Sequence, residues 1–366
     1  MKIVVTGTRG IPDVMGGVET HCEELFPRIA EKGYDVTIIR RRSYIKDHLK
    51  EWHGVKLIDL PAPRLKPFEA ITHTFLAVLK AKKIGADVLH IHAIGPALLV
   101  PFARLLGMKV VFTSHGPDYN RETWGLLAKM MLRLGERWGA KYANEVVVIS
   151  HVIDNQFKKM YHRYDCHVIH NGVSSPQFCE NTEYFEELGI QKGKYILGMC
   201  RFVPEKNLHH LVEAYSFIKD KYPDIKLVIA GDATFEDDYS IQLKKDAAKH
   251  GVILTGFVKG NKLHSLLTNA RCYVLPSSHE GLPISLLEAM SYKLPVIISD
   301  IPPHLEVGID KKCYFPLGNV EILARKLQEN IEADYHHVEY DMKKYNWNHI
   351  ADQLCEVYNH IGNKDK

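Results

Sequence analysis

Short apolar runs separated by stretches of helical periodicity recur along the whole chain, and this alternation constrains the fold more than any other feature. In the first half KIVVTG, YDVTIIRR, GVKLIDLP, ADVLHIHA, KVVFTSHG, EVVVIS and CHVIHNGV have the length and composition of strands. Segments between them, such as ETHCEELFPRIAEKG, space their apolar residues as helices do, and Gly33 stands where that helix should stop. Strands apolar on both faces that alternate with helices require a parallel sheet covered on both sides. The pattern then restarts. KYILGMCR, IKLVIAGD, GVILTG, CYVLPS, PVIISD and KCYFPL read as strands, and NLHHLVEAYSFIKDKY and SLLEAMSYK as helices. The Asn, Gly, Ser and Pro of HNGVSSP mark a boundary between the halves. The expected fold is α/β, with two tandem Rossmann-like domains, residues 1–172 and 173–345, facing a deep cleft. The last segment, residues 346–366, carries Ile350, Leu354, Val357 and Ile361 at helical spacing and is expected to pack back on the first domain.

A length of 366 residues fits two domains. With 47 basic and 44 acidic residues the charge is too balanced for a nucleic-acid partner. No apolar run is long enough to span a membrane. The start, MKIVVTGTRG, lacks the apolar core of a signal peptide, and the 7 cysteines show no C-x-x-C, so a reducing cytoplasm is expected.

Open α/β sheets bind ligands at the carboxyl ends of their strands. The first such loop, VTGTRGIPDVMGGVETHCEEL, is rich in glycine and opens a helix. Glycines let backbone approach a ligand, and free N–H groups at a helix start suit an anion. A tight turn without ligand is the bland alternative. A dinucleotide dehydrogenase would need an acidic residue at the end of the second strand. TIIRRRS has Arg40, Arg41 and Arg42 there, which disfavours NAD but not NADP; a solvated strand end is the preferred reading of the three.

The stretch SSHEGLPISLLEAM places Glu280 before a helix and Glu288 on it, with Gly-Leu-Pro between. Pro283 suits the first helical turn. The N–H groups around Gly281, Leu282, Ile284 and Ser285 then face outward at the positive end of the helix dipole, as a phosphate site requires. Two carboxylates beside a phosphate make sense as readers of sugar and ribose hydroxyls. GMCRFVPEKNLHHLVEA supplies Arg201 and Lys206 across a strand-to-helix loop, a pair able to grip a diphosphate, with Asn207 as a helix cap. Asp237–Asp238 read as a solvated helix start rather than metal ligands. His90 and His92 are expected to point to opposite faces of their strand, which makes them poor joint ligands.

Together, R-x4-K-N-L at Arg201–Leu208, E-x7-E at Glu280–Glu288 and G-G-V-E at Gly16–Glu19 resemble the family 4 glycosyltransferases. These are retaining enzymes of the GT-B fold that use nucleotide sugars, and the resemblance covers nearly all of the chain. The opening GTRGIPDVMGGVET is similar to a subgroup that includes rhamnosyltransferases and other enzymes of bacterial capsule, O-antigen and related surface-polysaccharide biosynthesis. Met15 stands where that subgroup often has an aromatic residue. The resemblance implies that Arg201 and Lys206 bind the donor diphosphate, Glu288 the ribose and Glu280 the transferred sugar. It places the backbone of Gly281, Leu282, Pro283 and Ile284 on phosphate and sugar, and Gly16 and Gly17 over the diphosphate. Phe257 and Val258 would hold the base through their backbone, with Leu263 packing on it. His115 would lie near sugar and acceptor, and Asn171 at the hinge of the cleft. Catalysis is expected from Glu280, His115, Arg201 and Lys206, without metal or other cofactor. A same-face reaction is favoured over double displacement through Glu280.

The implied function is transfer of a hexosyl or deoxyhexosyl group from a nucleoside-diphosphate sugar to a nascent surface glycan or a polyprenyl-diphosphate-linked sugar. An NADP-dependent oxidoreductase and a non-catalytic nucleotide-sugar binding protein are the alternatives. Residues 121–142 form a further candidate partner surface. Lys129, Arg133, Arg137 and Lys141 recur beside an apolar stripe of Trp124, Leu127, Met131, Leu134 and Trp138. This composition fits a peripheral element at the inner face of the cytoplasmic membrane, and equally a helix whose apolar stripe packs on the sheet.

Overall fold

The computed structural model describes residues 1–63, 68–120, 124–179 and 181–363. It divides into two compact units, Met1–Gly172 with Lys344–Lys366, and Val173–Lys343.

The first unit is built on eight strands: β1 (Lys2–Thr6), β2 (Asp35–Arg41), β3 (Glu51–Trp52), β4 (Val55–Leu60), β5 (Val88–His92), β6 (Lys109–Ser114), β7 (Glu145–Val148) and β8 (His167–Val168). Their order is β3-β4-β2-β1-β5-β6-β7-β8. All neighbours are parallel except the β3–β4 pair. The two-residue β3 is too short to show a period of two, so its sequence gives no strand signal. Five helices follow in chain order: α1 (Gly17–Glu31), α2 (Phe68–Lys83), α3 (Val100–Leu105), α4 (Leu126–Tyr142) and α5 (His151–Tyr161). Strands β1, β5 and β6 are buried almost throughout, as strands covered on both faces must be.

The second unit has a six-stranded, all-parallel sheet: β9 (Tyr195–Met199), β10 (Lys226–Ala230), β11 (Ile253–Gly256), β12 (Cys272–Leu275), β13 (Val296–Ser299) and β14 (Tyr314–Phe315). Their order is β11-β10-β9-β12-β13-β14. Its helices are α6 (Thr182–Leu188), α7 (Leu208–Ile218), α8 (Asp238–His250), α9 (Gly260–Asn269), α10 (Ile284–Ser291), α11 (Pro302–Leu305) and α12 (Val320–Glu332). Ile196, Leu211, Leu227, Leu243, Val274 and Leu323 meet in one core cluster. Each such side chain contributes about 1.5–3 kcal/mol when buried. Asp237 caps α8 through a reciprocal box with Ser240 at 2.9 Å both ways, so the Asp pair is a helix start.

The last helix, α13 (Trp347–Asn363), belongs to the first unit, although the whole second unit separates it in sequence from the rest. Tyr34 Oη donates to Asn359 Oδ1 at 2.8 Å, and Lys109 Nζ to the Ile361 carbonyl at 2.9 Å.

Two expectations fail here for physical reasons. Arg40 and Arg41 are not a solvated strand end. Strand β2 lies inside the sheet, and its end is roofed by the loop after β1. Arg40, 0% exposed, is held by Asp59 at 2.6 Å, by Asp47 at 3.0 Å, and by the carbonyls of Ile11 and Leu49. Arg41 is buried beside Glu69. Nor does the apolar stripe of α4 pack on the sheet as one block. The inward face of α4 carries Gly135, Glu136, Gly139 and Ala140. A Cβ at Gly135 would come within 2.0 Å of the Ile94 carbonyl, so only glycine permits this approach. Buried Glu136 accepts hydrogen bonds from Tyr119 and Tyr161. Trp124, Met131 and Trp138 are half-buried, whereas Leu127 and Leu134 face outward with Leu126, Met130, Arg133, Arg137 and Lys141. Residues 121–123 lie outside the described residues.

Candidate active site

In the second unit β9 lies between β10 and β12, so the connections leave it in opposite directions. Such a reversal opens a crevice at the carboxyl ends of the strands. The two loops that border it are stitched together. Asn207 Nδ2 donates to the Pro276 carbonyl at 3.1 Å, and the Ser278 amide donates to the Glu205 carbonyl at 2.9 Å. Lys206 Nζ lies 2.5 Å from Glu280 Oε1, with both side chains largely covered. Asn207 therefore caps nothing through its side chain. It takes a left-handed conformation with φ 49° and spends its amide on the neighbouring loop.

The Lys206–Glu280 pair gives the crevice its charge. Burial alone would raise the Glu280 carboxyl, but the Lys206 ammonium, His304 and hydrogen bonds outweigh it, and the group is held below its usual range. His304 is itself buried, with Nδ1 2.8 Å from the Ser299 carbonyl. Arg201, half-buried, stands two residues beyond β9. Pro283 precedes the first helical residue of α10 rather than occupying its first turn. Its carbonyl accepts from the amides of Leu286 and Leu287 at 3.2 and 3.3 Å. Gly281, Leu282, Pro283 and Ile284 thus lead directly into a helix N-terminus, where amides favour anions. Ser285 is fixed by Tyr273 Oη at 2.8 Å. Glu288 lies one turn beyond Ile284, half-buried. Phe257 and Val258 follow β11 at the edge of the sheet, Phe257 exposed, and Leu263 sits on α9.

The first unit carries the remaining candidates. Gly16 precedes α1 with φ 152°, and a Cβ there would come within 2.0 Å of Glu19 Oε2. Buried Glu19 accepts from the Arg9 amide at 2.9 Å and from Thr8, which shapes the glycine loop from inside. Gly17 opens α1, and no atom lies within 4 Å of where its Cβ would be. His115 follows β6. Asn171 is buried, with its Oδ1 2.9 Å from His21 Nδ1. His90 and His92 stack at 4.2 Å on one face, contrary to expectation. The reason is the strand period of two, which returns residue i+2 to the face of residue i. His90 contacts Tyr358 Oη at 2.6 Å and Thr113 Oγ1 at 2.7 Å, and His92 Nδ1 lies 3.0 Å from His115 Nε2. Burial pushes His115 down to about 4. Burial and the neighbouring His115 push His21 down to about 3.

Sequence reasoning quoted Glu19 as the end of the G-G-V-E motif but gave it no role, and it did not single out His21 or His304. Glu19 and His21 sit on α1 directly after the glycine loop, three and five residues beyond Gly16, and that adjacency was the available signal. His304, which becomes a neighbour of Glu280 only through the sheet, had none.

A protein-family model described as "Glycosyltransferase Family 4" matches residues 15–175, and one described as "Glycosyl transferases group 1" matches residues 180–347. The chain belongs to glycosyltransferase family 4. An uncharacterized glycosyltransferase of Methanocaldococcus jannaschii is 24% identical over 391 residues, covering 98% of both chains. The Escherichia coli UDP-Gal:alpha-D-GlcNAc-diphosphoundecaprenol alpha-1,3-galactosyltransferase is 26% identical, covering 82% of this chain and 80% of that one. Among solved structures, sucrose-phosphate synthase of Thermosynechococcus elongatus superposes with TM-score 0.84 at 20% identity, covering 99% of both chains. HepE of Anabaena, in complex with UDP-glucose, gives TM-score 0.79 at 17% identity, covering 98% of this chain and 99% of that one. This family 4 glycosyltransferase has the GT-B fold, and its relatives include enzymes of polysaccharide biosynthesis. Arg40 bears on the oxidoreductase alternative, since its guanidinium is consumed by Asp47, Asp59 and two carbonyls.

Proposed function

We propose that this glycosyltransferase moves a hexosyl or deoxyhexosyl group from a nucleoside-diphosphate sugar to a polyprenyl-diphosphate-linked or nascent surface glycan, with retention and without a metal. The Lys206–Glu280 pair beside the α10 N-terminus carries the reading. As the donor bond breaks, negative charge grows on the nucleoside diphosphate. Lys206, Arg201 and the amides leading into α10 are preorganised cations and dipoles for that charge. They supply what a divalent cation would otherwise supply. Glu280 accepts hydroxyls of the transferred sugar, Glu288 those of the ribose, and His115 meets the sugar or acceptor. A same-face course leaves the acceptor proton to the departing phosphate. The UDP-glucose complex of HepE and the diphosphoundecaprenol acceptor of the E. coli relative support the substrate classes.

The acceptor class also gives the outer face of α4 a purpose. Leu126, Leu127 and Met130 are 78%, 62% and 59% exposed, beside Arg133, Arg137 and Lys141. Leucine and methionine enter the headgroup region while arginine and lysine meet anionic lipid. On this reading the enzyme works peripherally at the inner leaflet. Among the described residues no helix is long and apolar enough to cross a membrane.

Purified enzyme with a panel of sugar nucleotides and a lipid-linked acceptor tests the reading. One donor should be transferred, with the donor's anomeric configuration in the product and undiminished rate in EDTA. An inverted product, or loss of rate in EDTA restored by a divalent ion, would refute those parts. Substituting Leu126, Leu127 and Met130 by Ser should abolish flotation with anionic vesicles and leave transfer to a soluble acceptor intact.

A further inference from the structure

The first unit contains an imidazole cluster that the proposed reaction uses only at His115. His92 at the end of β5 and His115 beyond β6 have ring centres 5.3 Å apart and planes 25° from parallel. Their facing nitrogens, His92 Nδ1 and His115 Nε2, are 3.0 Å apart. A separation of ring centres so much longer than the N···N distance puts both nitrogens on the line between the rings. The contact is therefore end to end, with one proton between the two nitrogens. His21, His92 and His115 also lie within 4.8 Å of one another by their ring nitrogens, near enough for a shared metal ion. Nitrogens that face each other, however, do not aim their lone pairs at a common third point.

Two arrangements of the proton are possible in neutral rings. If His115 donates, His92 must carry its own proton on Nε2. That atom is buried and has no hydrogen-bond partner among the described residues. A buried N–H without an acceptor is rarer and more costly than a buried lone pair. If His92 donates, Nε2 keeps only a lone pair, and His115 carries its proton on Nδ1.

We propose that His92 is a positioning residue that donates Nδ1–H to His115 Nε2, and so fixes His115 as the Nδ1–H tautomer, a hydrogen-bond donor toward the substrate. Burial and the neighbouring imidazoles hold His92 well below 6.5, and burial holds His115 at about 4, so both rings are neutral near pH 7. The edge of His21, 5.0 Å away by ring centres, and the stacked ring of His90 fix the plane of the pair. His115 then has no lone pair free to act as a general base. It steadies an oxygen of the sugar or the leaving diphosphate instead. The inference rests on the reading that His115 meets the substrate.

The tautomer can be measured without activity. In the full chain labelled with 15N-histidine, the His115 signals are assigned by their loss in His115→Asn. A protonated Nδ1 and a bare Nε2 at pH 7 are expected, and a protonated Nε2 overturns the proposal. Two variants read the consequence. His92→Phe should lower kcat about tenfold with donor KM unchanged. His92→Asn, whose amide N–H can occupy the place of Nδ1–H, should restore most of it. Unchanged kcat in a folded His92→Phe also overturns the proposal. An Nδ1–H tautomer in a protein that transfers no sugar would instead leave the imidazole pair standing and remove the transferase reading.

Discussion

Glu280 and Lys206 are coupled before any substrate arrives, and this changes what their substitution should do. Glu280→Gln removes the charge that Lys206 faces at 2.5 Å, leaving the ammonium to a diphosphate alone. Nucleoside-diphosphate affinity should hold or rise, while transfer falls by about a hundredfold or more, as for loss of a group that acts in the transition state. Calorimetry with the diphosphate and a transfer assay separate the two effects. Equal losses in both would refute the assignment. Glu288→Ala should do the reverse, weakening nucleotide binding by about ten- to a hundredfold, the worth of a charged hydrogen bond. A nucleotide Kd unchanged by that substitution would remove Glu288 from the ribose site.

At the level of elements, the loop before α1 depends on one glycine. In Gly16→Ala the new Cβ would collide with Glu19, and φ 152° is unfavourable for any side chain. The variant should lose about 1–3 kcal/mol in urea unfolding and lose donor affinity with it. Gly17→Ala, with no protein atom within 4 Å of the new Cβ, should keep that stability. The sheets themselves were legible in sequence, because strands apolar on both faces leave few alternatives to a covered parallel sheet. All thirteen apolar runs read as strands are strands, and among the described residues only the short antiparallel β3 escaped. The motif residues were legible as types, but their partners were not. Nothing in GMCRFVPEKNL shows that Lys206 bonds Glu280 or that Asn207 serves Pro276, since strand order joins those loops. The error at His90 and His92 was different in kind, because the period of two was sufficient to place them on one face.

At the scale of the whole molecule, the buried imidazoles set a limit on acid stability. His21 is held at about 3, His73 and His115 at about 4, and His90 and His92 also below 6.5, all in the first unit and all with burial as the largest cause. The unfolded chain takes up these protons near pH 6.5, the folded chain only at lower pH, near 4 for His73 and His115 and near 3 for His21. Stability is therefore full above pH 6.5 and falls as the pH drops toward 4, by about 1.4 kcal/mol per unit for each group. All 4 tryptophans, Trp52, Trp124, Trp138 and Trp347, belong to this unit, so their fluorescence in urea follows it alone. A midpoint constant between pH 7 and 5 would contradict the burial of these rings. The return of α13 to the first unit has a further consequence, for the newborn chain. A ribosome that has read as far as residue 343 has delivered both sheets, but not the Tyr358 that meets His90 or the Trp347 that lies against His21. The first half made is thus the last half finished, and it waits through the synthesis of an entire second unit without the partners that His21 and His90 find in α13.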